Sequence, residues 1–271
     1  MSADEQTPSD RTSKAVTYAE YLKIDELLDL QWSRTDEHDE TLFIIIHQVY
    51  ELWFKQILHE TGHLQEALER GELGISLGDF KRILTILKIL VAQLDVLETM
   101  SPVSFLNFRQ RLDSASGFQS AQFRELEFAL GQKRHSLADH HPEGTIGRQR
   151  IEDAYRRPTL WDSFLRFVAS TGYAVPARLL DRDVTAPIEP DAELQETLLA
   201  MYRDNSLETQ ICERMVDLDE GLQEWRYRHV KMVERTIGHK PGTGGSEGAE
   251  YLRRTLFTPL FPDLWEIRTR L

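Results

Sequence analysis

From His38 to Arg70 the chain runs without a proline and spaces its apolar side chains by three and four residues. That pattern predicts one uninterrupted helix on the order of 50 Å long, stopped by Gly71. A second stretch, Asp191 to Ile237, is helical in the same way, with a break expected near Asn205 and a stop at Gly238. Helices of this length hold in water only when one face is packed. With no strand pattern, no repeat and no flexible interdomain linker, the expected fold is all-α. It is a helical bundle-like single domain over residues 17–271 with small helical additions. Hydrophobic residues, 41 % of the chain, suffice for a substantial core.

The segments between fill in around these two. Tyr18 to Leu30 reads as a short amphipathic helix. Ser76 with Asp79 resembles a capping box opening a helix that carries Phe80, Ile83, Leu84, Leu87, Leu90, Val91, Leu94 and Leu97. Ser101-Pro102 supplies an N-cap and a first-turn proline for a helix bearing Phe105, Phe108 and Arg109. Asp113 to Gly117 is a polar break, and Phe118 to Leu130 is helical again. His135 to Gly147 reads as a loop, and Pro158 to Thr171 as a short helix. Residues 1–16, rich in Ser, Thr, Asp and Glu, read as a disordered tail.

Charge excludes some partners. A net −13 offers no basic face to nucleic acid or an anionic membrane. No apolar run reaches the ~20 residues that span a bilayer. The lone cysteine, Cys212, allows no internal disulfide, and a reducing, cytoplasmic setting is the simpler expectation.

Two of the nine histidines sit inside apolar helical rows. His229 lies in the row Leu218, Leu222, Trp225, His229, Met232, Thr236. His47 lies in the row Phe43, His47, Tyr50, Phe54. A buried neutral imidazole needs a partner, either a core carbonyl or carboxylate, or a metal. Arg109 shares a face with Phe105 and Phe108. It suits bidentate capture of a carboxylate, or a packed stem with its head in water. Gly242 to Gly248 has the composition of a flexible connection or of a lid, and lacks the Lys-Ser/Thr pair of a phosphate loop. His59-Glu60-Thr61-Gly62-His63 matches the zinc pattern H-E-x-x-H, yet no third ligand follows at a recognisable spacing. A solvated face is the expectation there. Cys212, between Ile211 and Met215, suits a small buried hydrophobe better than a thiolate ligand.

Taken together, certain segments resemble the tryptophan 2,3-dioxygenase family. His38-Asp39-Glu40, Leu42 to Gln48 and Glu51 to Lys55 are similar to its distal helix. Phe105 to Arg109 and Ser116 to Ser120 are similar to its substrate-binding segment, and Trp225 to His229 to its proximal helix. Gly242 to Ser246 resembles its closing loop, and Tyr18 with Tyr21-Leu22 its N-terminal helix. The resemblance implies an all-helical homotetramer with one haem b per subunit. The reaction it implies is oxidative opening of the indole ring of L-tryptophan by O2 to N-formylkynurenine. It casts His229 as the iron ligand and His47 as the distal residue that accepts the indole N–H. Phe43 would pack on the indole, Arg109 would clamp the carboxylate, and Thr243 would hold the ammonium and carboxylate end. Ser116 and Gly117 would line the pocket, while Tyr18, Tyr21 and Leu22 would arrive from a neighbouring subunit. Phe105, Ile46 and Glu247 depart from common members of the family, Phe105 by replacing a tyrosine that reaches the carboxylate. These departures leave room for a second reading, a relative acting on a substituted tryptophan or inserting one oxygen.

Overall fold

In the computed structural model, described over residues 15–112, 115–242 and 248–271, three long helices form the centre. They are α3 (His38–Glu69), α4 (Leu73–Leu97) and α11 (Thr209–Ile237), with α4 packed against both others. No strand occurs among the described residues. The remaining helices in chain order are α1 (Tyr18–Leu22), α2 (Ile24–Leu28), α5 (Pro102–Arg109), α6 (Ala121–Ala129), α7 (Ile146–Arg156), α8 (Leu160–Ser170), α9 (Ala177–Leu180), α10 (Ala192–Arg203), α12 (Ala249–Arg253) and α13 (Pro262–Glu266).

The long α3 begins on a buried carboxylate. Glu40 accepts from the backbone N–H groups of Arg34 (2.9 Å) and Thr35 (2.8 Å), so the chain entering the helix is tied to its first turn. Its other end closes at Gly71, whose φ of +70° few other residues would adopt. Between these ends, Ile57, Leu64 and Leu68 bury completely against Phe80, Ile83 and Leu90 of α4, each worth roughly 1.5–3 kcal/mol. The Tyr50 hydroxyl donates to the Leu90 carbonyl (2.6 Å) and pins the two helices together. Asn205, at φ 51°, separates α10 from α11 where the break was expected.

Along α11, side chains at helical spacing hold the returning C-terminal segment. Asp219 accepts from Leu260 N–H (2.7 Å) and the Trp265 indole (2.8 Å). Gln223 donates to the Thr258 carbonyl (2.6 Å), and Arg226 to the Thr255 carbonyl (3.4 Å). A smaller cluster of Phe128, Leu137, Ala138, Ile151 and Ala154 joins α6 to α7.

Three expectations need correction. Tyr18–Leu30 is two helices rather than one, because Lys23 adopts a left-handed φ of 55° between α1 and α2. Ser76 and Asp79 do not open a helix: α4 starts at Leu73, and both side chains are buried inside it. The Ser76 hydroxyl donates back to the Glu72 carbonyl, and Asp79 meets His63. The loop expected to run to Gly147 ends one residue before Ile146, where α7 (Ile146–Arg156) begins, and the polar surface of α7 hides it in the sequence, since only Ile151 and Ala154 are buried. The rest of that expected loop stands, with His135–His140 forming a short 3-10 turn within it. Ser101 caps α5 as expected, accepting from Ser104 N–H (3.1 Å). Of the tail expected over residues 1–16 and the lid expected over 242–248, residues 1–14 and 243–247 lie outside the described residues.

Candidate active site

A cavity of about 250 Å3 opens between α3, α4, α5, α6, α11 and α12. His47 and His229 both line it, from α3 and α11. The His47 ring nitrogen Nδ1 lies 2.7 Å from the Phe43 carbonyl. A carbonyl only accepts, so Nδ1 carries the proton and Nε2 is left with its lone pair. Burial lowers the proton affinity of this imidazole. The Phe43 carbonyl and the Glu51 carboxylate push the other way without reversing it.

His229 is held differently. Its imidazole stacks on Trp225 one turn earlier, ring centres 5.1 Å apart and planes 10° from parallel. Among the described residues nothing hydrogen-bonds to its ring nitrogens. Burial above all, with His47 and Arg124 adding to it, pushes its pKa down to about 4. It is a neutral imidazole with a free lone pair on the cavity wall.

Beside His47 the wall is aromatic. The Phe43 ring lies 4.1 Å from that of His47, 5.7 Å from Phe105 and 5.5 Å from Phe108, centre to centre. The result is an apolar slot with one acceptor at its edge. Arg109, at the end of α5, lines the same space and donates to the Pro241 carbonyl. Ser116 and Gly117 line it too, with the Ser116 hydroxyl accepting from Phe118 N–H (3.3 Å). Gly248 lines the opposite edge, where a side chain would meet the Lys240 carbonyl at 2.6 Å. Tyr18, Tyr21 and Leu22 do not reach this cavity: they stand exposed on α1, the two tyrosines more than three-quarters so. Thr243 lies outside the described residues.

Sequence reading missed the charged floor. Glu127 of α6, fully buried, is bonded by Arg124 and by Arg226 of α11 (2.8 Å), with Arg134 at 3.5 Å. Burial alone would raise its pKa, but the three guanidiniums hold the carboxyl below its ordinary value. Arg124, Glu127 and Arg226 all line the cavity. Among the described residues, two polar atoms there are buried without a hydrogen-bond partner, the Trp225 indole N–H and the Tyr251 hydroxyl. Arg124 and Glu127 are three residues apart on α6, an ordinary helical spacing, and what the local sequence does not mark is that Arg226, 99 residues on, closes on the same carboxylate.

Comparison with known proteins bears on this arrangement. The model of the family described as tryptophan 2,3-dioxygenase matches residues 3–144 and 191–271. The chain belongs to this family. It is 56 % identical over 261 residues to a tryptophan 2,3-dioxygenase of Herpetosiphon aurantiacus, covering 96 % of this chain and 100 % of that one. It is 57 % identical over 256 residues to a tryptophan 2,3-dioxygenase of an Anaeromyxobacter species (94 % and 96 % covered). A tryptophan 2,3-dioxygenase of Bacillus thuringiensis is 40 % identical over 260 residues (94 % and 93 % covered).

For this member of the tryptophan 2,3-dioxygenase family, the competing sites fall away on geometry. His59 and His63 are exposed, as expected, but Glu60 between them is buried and ion-paired to Arg82 (2.5 Å), while His63 is bonded to Asp79 (2.7 Å). No group of three metal-ligating side chains occurs among the described residues. Burial drives the Cys212 thiol up to about 12, so it is a small apolar side chain and no thiolate. No helix among the described residues is long and apolar enough to cross a membrane.

Proposed function

We propose that this chain opens the indole ring of L-tryptophan with O2 to give N-formylkynurenine, as the first step of tryptophan breakdown, with a haem b held by His229. The observation that carries this reading is the pairing in one cavity of two neutral imidazoles. One has its lone pair free of any partner among the described residues, and the other is set beside an aromatic slot.

The residues present fit a haem. His229 offers an unprotonated nitrogen to iron, its plane set by Trp225. Carboxylate arms would find Arg124 and the unpartnered donors of Trp225 and Tyr251. When bound, the haem supplies the O2 chemistry that no side chain offers.

The chain's own part is to bind and orient. Phe43 and Phe105 flank the slot for the indole, and Nε2 of His47 accepts the indole N–H. The Arg109 fork meets the substrate carboxylate, exchanging its bond to the Pro241 carbonyl for a charge-assisted pair. Ser116 and Gly117 close the wall beside it, and Thr243 takes the ammonium and carboxylate end. The exposed Tyr18, Tyr21 and Leu22 would complete the site of a neighbouring subunit in a cytoplasmic homotetramer, and their exposure in the single chain supports that.

Aerobic turnover of the reduced, haem-loaded protein with L-tryptophan, with the product weighed by mass spectrometry, tests the reading. A gain of two oxygen atoms as N-formylkynurenine is expected. A gain of one oxygen, or no product from protein with a full Soret band, overturns it.

A further inference from the structure

Two acidic side chains line the cavity, and they are treated differently. Glu127 is paired with three arginines. Glu51 is paired with no cation among the described residues. A single amide, Gln122 of α6, donates to its Oε2 (2.8 Å) and to its own carbonyl (2.9 Å). Its carboxylate lines the same cavity as His47, held by an amide rather than by a guanidinium.

His47 lies one turn away on the same helix. Phe43, His47 and Glu51 follow one another at intervals of four on α3, and all three line the cavity. The Phe43 carbonyl holds the proton on Nδ1 of His47, which leaves Nε2 as the acceptor. Burial by itself makes that imidazole a poor base and a weak acceptor. The other charged or titratable groups around the cavity do not help. His229 of α11 is neutral, Arg109 of α5 is cationic, and Arg124 and Arg226 are offset by Glu127.

We propose that Glu51, clamped by Gln122, is a positioning residue for His47: its carboxylate keeps the cavity-facing Nε2 basic enough to accept the substrate N–H. The proposal rests on the dioxygenase reading for the identity of that N–H, but not for the electrostatics of the pair. His47 must be neutral to accept, so activity falls as pH drops and the ring takes up a proton. Removing the Glu51 charge lowers the proton affinity of His47 further. Glu51→Gln therefore moves the acid limb of kcat/KM to lower pH, by about one unit. It also raises KM for L-tryptophan more than it lowers kcat, because the acceptor is weaker in the ground-state complex as well.

The test is the pH profile of haem-loaded wild type, Glu51→Gln and Glu51→Asp, with Soret absorbance confirming equal haem content. The proposal expects an acid-shifted limb in Glu51→Gln and a limb restored toward wild type in Glu51→Asp. An unmoved limb, or one moved to higher pH, overturns it, since a merely structural role would lower the plateau without that shift. A second arm does not need turnover. The His47 imidazole is titrated by 15N NMR in the full-length chain with and without Glu51→Gln. A lower midpoint in the variant supports the proposal and an unchanged midpoint overturns it, even if L-tryptophan proves not to be the substrate.

Discussion

The rings of Trp225 and His229 lie 5.1 Å apart and within 10° of parallel, one turn apart on α11. With no hydrogen bond to its nitrogens from the described residues, the imidazole takes its orientation from this stack. Groups that orient a metal ligand typically change affinity by tenfold or more when removed. Trp225→Phe keeps an aromatic body in a buried site but shrinks the stacking surface and deletes the unpartnered N–H. We expect the variant to fold, by circular dichroism, and to bind haem about tenfold more weakly in a Soret titration. Wild-type affinity would show that the stack does not orient the ligand.

His229→Ala tests the ligand itself. The alanine removes the one imidazole that α11 brings to the cavity wall among the described residues. The native Soret band should be lost or shifted while the helical signal stays. An unchanged band in a folded variant would move the iron ligand elsewhere.

Acid should weaken the haem-free protein through the same residue. The folded pKa of His229 is about 4, below the roughly 6.5 of an unfolded histidine. The unfolded chain therefore takes up the proton first. The contribution is fully present above about pH 6.5 and is lost as pH falls toward 4, at a limiting slope of about 1.4 kcal/mol per pH unit. Burial lowers His47 and His141 as well, so they act in the same direction. Urea unfolding at pH 7, 6 and 5 should show this loss, with a shallower dependence in His229→Gln. Equal slopes in the two proteins would mean that the fold does not lower the proton affinity of His229.

What the sequence disclosed and what it hid divide along physical lines. The rows Phe43-His47-Tyr50-Phe54 and Leu218-Leu222-Trp225-His229 were legible because a helix repeats every 3.6 residues, and a histidine inside such a row must face the interior. Ser101-Pro102 was legible because an N-cap is a local device. The Ser76 and Asp79 pair misled because the same spacing also occurs within a helix, where Asp79 meets His63 from α3. The pairing of Glu127 with Arg226 was invisible, since an ion pair between α6 and α11 leaves no periodic trace, and without it the Arg124–Glu127 spacing reads as an ordinary surface pair. Glu51 was read only as part of the distal-helix motif. Its bond to Gln122 on another helix is what singles it out.

Arg109 lends itself to a specificity test. In the described chain its Nη2 bonds the Pro241 carbonyl, so the guanidinium already faces the cavity mouth. A hydrogen bond to a charged group is worth roughly 1.5–3 kcal/mol. Arg109→Leu should therefore raise KM for L-tryptophan on the order of 10- to 100-fold. Tryptamine, which lacks the carboxylate, should lose little. Arg109→Lys should recover only part of the loss, because an ammonium cannot form the two-pronged contact. An equal loss for both substrates would show that Arg109 shapes the pocket without meeting the carboxylate.

Glu127 is where the scaffold is most exposed to damage. Its carboxylate is the shared partner of Arg124 and Arg226, both nearly fully buried, and of the half-exposed Arg134. Glu127→Ala leaves two buried guanidiniums facing each other across the cavity floor, and breaking a buried pair from one side costs about 3–5 kcal/mol. For a chain of this size that is a fall in Tm of roughly 10 °C. Glu127→Gln should be nearly as harmful, since it keeps the shape and removes the charge. Arg134→Ala should cost less than about 1 kcal/mol, because that guanidinium retains water. Thermal unfolding of the three variants decides the matter. A small loss in Glu127→Ala would mean that water or the haem carboxylates take over its role. Adding haem to the variant separates those two, because only the second restores Tm.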